Sequence, residues 1–525
     1  MPRLVKVPGM ESAWPCSRPS LCVRLTSMSD NNVNDSTMPA SARGEEAISP
    51  LRVAVIGAGP AGVYASDILL RQLRQKGADL GLGDRARIDL FEKLPVPFGL
   101  VRYGVAPDHP SIKYIAGALE KTLDNPEIHL YADVEFGKDI NLDDLLHRYD
   151  VVLFATGAVD DRPLEIAGHE LDGVHGAAHF VEWYDGYPDA DQDWPLDAKQ
   201  VAVIGGGNVA MDVSRILMRR ADDLLGTDIP DNVYKGIQGN QARELHMFIR
   251  RGPAQAKFSV QELRELEKLP GVQIVIDEED FDLDQETIDR AGADKLTRQM
   301  LEELFTIREM AEDMAEDGGV DFEGNPADRR FYMHFYRMPA AIIGQDGKVT
   351  GIRVEKTKVT PEGTMEETSR YEEYPVQAVY HAIGYKPAEV PGIPYDFSGY
   401  TLSNVHGRVT TAPEGQDGRP IDRLYATGWA KRGPVGLIGS TKSDALETIG
   451  NMLDDLASSP DHGRFAKDRD DDSIDRFLAE KGIQPIDFAG WKRVDAYERA
   501  EGAKVGREHI KVIDPDQLRQ LAHGE

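Results

Sequence analysis

The chain is 525 residues long, 41% hydrophobic and 29% charged, with a formal net charge of −30. That length allows two to three domains at roughly 150 residues each, and the composition suits a globular protein with a sizeable core. A pI near 4.9 argues against a nucleic-acid partner, whose phosphates require clustered Lys and Arg. No run approaches the ~18–20 apolar residues of a membrane-spanning helix.

Residues 1–50 are rich in Ser, Pro, Asn and Met without apolar periodicity, and are expected to form a disordered N-terminal extension. Arg3, Lys6, Arg18 and Arg24 suggest a targeting peptide, but Pro8, Pro15 and Pro19 interrupt the amphipathic helix it needs. Met28 is an alternative start. Both cysteines, Cys16 and Cys22, fall in this stretch. The body therefore offers no CxxC redox centre and no cysteine-held cluster, and no metal site is expected in it. Its chemistry must come from a cofactor that cysteines do not hold.

From Leu51 the pattern turns to α/β. RVAVIGAGPAG (Arg52–Gly62) reads as a buried strand breaking into glycines before a helix. Gly57, Gly59 and Gly62 stand at the GxGxxG spacing, which provides a tight turn, close backbone approach to a pyrophosphate, and close helix–strand packing. The helix N-terminus adds free N–H groups and partial positive charge. RIDLFEK (Arg87–Lys93) is the next strand and ends in Glu92. A carboxylate there accepts hydrogen bonds from an adenosine ribose and repels a 2′-phosphate, so this site holds FAD or NAD. VVLFATG (Val151–Gly157) is a further strand.

QVAVIGGGNVAMDVSRIL (Gln200–Leu217) starts a second cycle, with Gly205, Gly206, Gly207, Asn208, Val209 and Ala210 as its turn. Its next strand, ELHMFIRR (Glu244–Arg251), ends in Arg250 and Arg251 where the first cycle has its acid. Guanidinium groups grip a phosphate bidentately, so the pair is expected to select NADP over NAD. Residues 277–323 are acid-heavy and helix-prone, and read as a solvated surface insertion. AVYHAIGY (Ala378–Tyr385) and DRLYATGWA (Asp422–Ala430) are again strands ending in glycine turns. Two dinucleotide sites in one chain imply a flavin exchanging hydride with NADPH. FAD is assigned to the first, because the unit with the remaining glycine turns keeps the bound cofactor.

Three long segments carry a resemblance: EKLPVPFGLVRYGVAPDHPSIK (Glu92–Lys113), RRGPAQAKFSVQELREL (Arg250–Leu266) and GWAKRGPVGLIGSTKSDA (Gly428–Ala445). Together they resemble the adrenodoxin reductase type of ferredoxin–NADP reductase, its bacterial branch in particular, from about Leu51 to the C-terminus. The resemblance implies two Rossmann-like domains, with the NADP domain inserted in a discontinuous FAD domain. The expected boundaries are 51–157 for the first FAD segment, 158–377 for the NADP domain, and 378–525 for the second FAD segment and tail.

By position it implies that Ala61, Glu92, Leu100, Phe136, Trp429 and the Gly436-Leu437-Ile438 turn contact FAD. Gly206, Gly207, Asn208, Val209, Arg250, Arg251, Glu262 and Gly436 are expected to meet NADP(H). One departure from the wider flavoprotein pattern is Gly428-Trp429, where Gly-Asp is usual. His109 resembles a family histidine near the nicotinamide, with Glu265 as the acid that sets its charge. The partner implied is a ferredoxin or similar small iron–sulfur protein. Because such partners are usually acidic, a basic rim of Arg219, Arg220, Arg243, Lys431 and Arg432 is expected to receive it. A cytoplasmic enzyme is expected. The alternatives are a flavoenzyme resembling the small subunit of glutamate synthase, a flavin monooxygenase, or an NADP(H)-binding sensor without turnover.

Overall fold

The computed structural model describes residues 48–525, apart from 282, 284, 316–318, 361–363 and 437. Most of the expected extension, 1–47, lies outside the described residues. Its last residues do not hang free: the Ser49 and Pro50 carbonyls accept from Arg464 and Arg469.

Two parallel sheets organise the body. The first runs in the order 404–405, 408–410, 420–426, 151–154, 51–56, 86–92, 128–132. Its five strands from 420–426 onward are mutually parallel, and only the first two are antiparallel additions. The strand Leu51–Ile56 is buried along its whole length. Leu51, Val53 and Val55 face one core while Ala54 and Ile56 face another, as period-two alternation requires when helices cover both faces of a parallel sheet.

The second sheet holds six strands in the order 174–176, 378–381, 200–204, 244–248, 329–334, 272–276, all parallel. Between the sheets the chain passes out through Asp160–Asp161 and back through Tyr385–Lys386, and these two segments pair antiparallel. A three-stranded antiparallel layer, Arg337–Gln345, Lys348–Val359 and Met365–Tyr374, follows the strand Arg329–His334 in the chain and precedes Ala378–His381.

Two expectations need correction. The strand Ala378–His381 belongs to the second sheet, pairing in parallel with Gln200–Ile204, so the boundary placed at 377/378 moves past it. It is the counterpart of Val151–Phe154, which pairs with Leu51–Ile56 in the same way. The acidic stretch is not merely a solvated insertion. Its helix Lys295–Ala315 turns Met300, Leu304 and Ile307 into the core of the second sheet's domain, a helical stripe of apolar residues beneath an acidic outer face.

The C-terminal tail folds back on the first sheet. In the helix Phe488–Lys504, the fully buried Glu498 carboxylate accepts from both terminal nitrogens of Arg102 and from the backbone N–H of Val512 at 2.8 Å. Among the described residues no helix is long and apolar enough to cross a membrane. Removing the acid alone from this pair strands a guanidinium in the interior, at a cost of about 3–5 kcal/mol. Glu498→Ala is expected to lower the thermal unfolding midpoint accordingly; a loss under about 1 kcal/mol would show that the tail is held by its apolar packing instead.

Candidate dinucleotide cleft

The duplicated units are built alike to the level of single backbone atoms. Gly57 turns with φ +108° and Gly205 with φ +151°. Gly57 N–H donates to Phe91 O at 2.7 Å, and Gly205 N–H to Phe248 O at 3.1 Å. A Cβ on Gly57 would stand 2.5 Å from Ala155 O, and one on Gly205 would stand 2.4 Å from Ala382 O. Each turn passes beneath the carbonyl that follows a neighbouring strand, so only glycine fits.

Beyond these glycines the helices Pro60–Gln72 and Asn208–Met218 begin, and both starts open into one cleft of about 1110 Å³. That exceeds the ~300–1,000 Å³ of a typical small-molecule pocket. Gly57, Gly59 and Ala61 line its first half with Glu92 and Leu100. Gly62 does not reach it. A Cβ there would lie 2.1 Å from Gly57 O, so this glycine serves helix-on-strand packing.

Glu92 is buried, and its oxygens accept from Ala58 N–H at 2.9 Å and Leu94 N–H at 3.1 Å. Burial pushes its carboxyl pKa up against the pull of these two donors. Gly428 stands over the first helix, since a Cβ there would meet Ala61 Cβ at 2.5 Å. Trp429, Gly436 and Ile438 complete this wall; Leu437 lies outside the described residues. The helix Ser440–Ser458 starts just beyond the turn. Although Trp429 replaces the usual acid, a carboxylate does stand here. Asp444 accepts from Thr427 Oγ1 at 3.0 Å and from Gly428 N–H.

Gly206, Gly207, Asn208 and Val209 line the second half. Arg250 and Arg251, just past the strand Glu244–Phe248, are exposed and line the same cleft. Neither side chain has an acidic partner among the described residues, whereas their backbone is pinned. Thr357 Oγ1 donates to Arg250 O at 2.7 Å, and Tyr336 N–H donates to Arg251 O at 3.2 Å. The turn is rigid and the charges are available.

A buried ionic cluster joins the two halves. His109 Nε2 lies 3.2 Å from Asp212 Oδ1 and 3.3 Å from Glu262 Oε2. Arg215, fully buried, bonds to Asp108 at 2.9 Å and to both Asp212 and Glu262; Arg219 bonds to Asp108 at 2.9 Å. Three carboxylates thus face two arginines and His109, whose Nε2 also lies against a terminal nitrogen of Arg215, and burial pushes the Asp212 carboxyl pKa up. Burial disfavours a charge on His109, but hydrogen bonds to Asp212 and Glu262 prevail and raise the imidazole pKa to about 9. Burial also raises Asp108, yet Arg215 holds it well below the usual carboxylate range. The ligand atoms of His109, Asp212 and Glu262 lie within 4.8 Å of one another, but the Arg215 guanidinium already supplies the cation there.

Comparison with known proteins fits this geometry. The pyridine nucleotide-disulphide oxidoreductase family model matches residues 51–277. The NADPH-ferredoxin reductase FprA of Mycobacterium leprae is 35% identical over 480 residues, covering 90% of this chain and 98% of that protein. Human mitochondrial NADPH:adrenodoxin oxidoreductase is 34% identical over 492 residues, covering 90% and 92%. The solved structure of Mycobacterium tuberculosis FprA in complex with NADPH superposes with a TM-score of 0.79 at 34% identity, covering 91% of this chain and 100% of that one. The chain belongs to the NADPH–ferredoxin and adrenodoxin reductase family.

Within this family member, several expected site residues fall elsewhere. Glu265 does not touch His109; it accepts from Gln261 and Lys268 along the outer face of its own helix. Glu262, assigned to the coenzyme, is the acid that meets the histidine, with Asp212 beside it. Phe136 does not line the cleft: its ring packs edge-on against Phe154 at 5.5 Å. The basic rim breaks up as well. Arg219 is spent on Asp108, and Lys431 is buried between Asp444 and Glu447. Arg220 pairs with Asp328, and Arg432 is half-buried beside Asp444. Only Arg243 is an exposed rim cation without an ion pair among the described residues. Sequence reading missed Asp212 and Arg215, although their three-residue spacing after the second glycine turn puts them on one helix face.

The histidine's raised pKa has a definite sign for stability. His109 contributes most below about pH 6.5, its ordinary value, and that contribution is lost as pH rises through about 9. The difference in unfolding midpoint between the natural protein and His109→Gln is therefore expected to be largest at pH 6 and to shrink toward pH 9.5. A difference constant across that range would mean that folding leaves the imidazole pKa where it was, and one that grows with pH would mean that His109 is held neutral.

Proposed function

We propose that this protein is an FAD-dependent oxidoreductase that transfers hydride between NADPH and FAD, and single electrons between FAD and a ferredoxin-type iron–sulfur protein. The observation that carries the reading is the charge asymmetry of one cleft, with Glu92 at the first unit's strand end and Arg250 with Arg251 at the second's. The FAD domain is assigned to the segments on either side of the second sheet, and the NADP domain to the stretch between the paired crossings Asp160–Asp161 and Tyr385–Lys386. We place the enzyme in the cytoplasm, a compartment that supplies NADPH.

The first half of the cleft fits FAD. The nearest atom to a Cβ built on Gly59 is Gly99 Cα at 4.0 Å, and nothing lies within 4 Å of one on Gly157. Bare backbone therefore faces the space a pyrophosphate needs. Thr156 Oγ1, on the same wall, is buried without a partner. Gly57, Gly59 and Ala61 would hold the pyrophosphate, Glu92 the ribose side, and Gly428, Trp429, Gly436 and Ile438 the ring end. When bound, FAD supplies hydride acceptance and one-electron release.

The chain's own residues orient and select. The helix starting at Asn208 presents its N–H groups and positive end to the coenzyme pyrophosphate. The two arginines grip the 2′-phosphate, each charge-assisted bond contributing roughly 1.5–3 kcal/mol. The helix starting at Ser440 directs its positive end toward the ring end of the first site, where negative charge is favoured. His109, set between Asp212, Glu262 and Arg215, stands on the wall between the two halves. We assign it to positioning the nicotinamide. Disulfide chemistry is excluded for the body, because the chain's only cysteines are Cys16 and Cys22.

The direct test is an anaerobic titration of the protein purified with its flavin. NADPH is expected to bleach the ~450 nm flavin band at near-stoichiometric addition, with NADH more than tenfold less effective. A band untouched by NADPH, or bleached equally by both coenzymes, contradicts the reading.

A further inference from the structure

The cleft carries a cation that the assignment above does not use. Lys257 is exposed on the cleft wall, and its side chain has no hydrogen bond or ion pair among the described residues. Two other cations of the wall are engaged with rings: Lys93 lies over Tyr187 and Arg162 over Tyr400, at 5.8 and 5.2 Å. In a chain of net charge −30, a lysine with no acid beside it faces a ligand-sized space.

The backbone determines which part of a ligand it faces. Lys257 N–H donates to Gly206 O at 2.7 Å, which ties the residue to the second glycine of the turn. Two residues on, Ser259 N–H donates to Asn208 Oδ1 at 3.0 Å, tying the same loop to the first residue of the helix after that turn. Arg250 and Arg251 are anchored elsewhere, to Thr357 and Tyr336. The three cations therefore fall into two groups: one at the glycine turn, two at the end of the next strand.

We propose that Lys257 is a coenzyme-binding residue that pairs with the pyrophosphate of the nicotinamide coenzyme, leaving the 2′-phosphate to the arginine pair. At this turn the helix Asn208–Met218 already offers backbone N–H donors, and a mobile ammonium adds a point charge that a diphosphate accepts without directional demands. Because NADPH and NADH share the pyrophosphate, Lys257 strengthens the binding of both and discriminates between neither. It supplies grip, and the arginines supply choice.

This inference rests on the second half of the cleft being the coenzyme site, and the test separates the two claims. Wild type, Lys257→Ala and Lys257→Arg are compared by steady-state reduction with NADPH and with NADH, and by calorimetric titration with NADP+. For Lys257→Ala, kcat/KM is expected to fall about tenfold with both coenzymes, kcat at saturating NADPH to hold, and NADP+ affinity to drop in parallel. Lys257→Arg is expected to recover most of the loss. An alanine variant within twofold of wild type overturns the proposal, as does a loss confined to NADPH, which would move Lys257 to the 2′-phosphate. A wild type that neither turns over NADPH nor binds NADP+ refutes the coenzyme site itself and the lysine's role with it.

Discussion

A glycine that must pass beneath the carbonyl following a neighbouring strand occurs twice in this chain, and the rest of the architecture is arranged around that constraint. No side chain fits at Gly57 or Gly205, so each strand end is forced into a sharp turn with its following helix aimed at open space. Parallel strands buried on both faces hold those turns still. The helix ends then offer unsatisfied N–H groups where a phosphate is to sit, which is a property of backbone alone. Sequence differences between the two copies act on top of this common base.

Those differences are electrostatic. In the first copy the strand after the turn ends in a buried carboxylate with both oxygens bonded to backbone N–H groups; in the second, Ile249 takes that place and two exposed guanidinium groups follow it on a pinned turn. The same fold thus prefers two different nucleotides. Holding the copies face to face falls partly to the Arg215 cluster, in which Asp108 and His109 from one segment meet Asp212, Arg215 and Glu262 from the other. Burial pushes the Asp212 carboxyl pKa up while its hydrogen bonds raise that of His109, so these two groups share the proton that crosses between the halves.

Much of this was legible in the sequence because the relevant signals are local. IGAGPAG and IGGGNVA sit between an apolar strand and a helix, and the acid and the arginine pair each close the following strand. What escaped reading depends on where distant segments land. Asp444, sixteen residues after Gly428, sets a carboxylate beneath the Gly428 turn, bonded to Thr427 and the Gly428 N–H. Glu262 and Glu265 both resemble partners for His109 on paper; only Glu262 points inward, one turn past its Ser259 cap. The strand Ala378–His381 reads as part of the second FAD segment because its pattern mirrors that of Val151–Phe154, while in the structure it pairs with Gln200–Ile204. The acid count of 277–323 masked the apolar stripe of Met300, Leu304 and Ile307.

The central claim is that Arg250 and Arg251 make the second copy an NADP site. Neutralising both, as Arg250→Gln with Arg251→Gln, and measuring kcat/KM for NADPH and NADH tests it most directly. The preference for NADPH is predicted to collapse by at least tenfold, about 1.4 kcal/mol, through loss with NADPH and little change with NADH. A double variant that keeps its preference for the phosphorylated coenzyme would contradict the account.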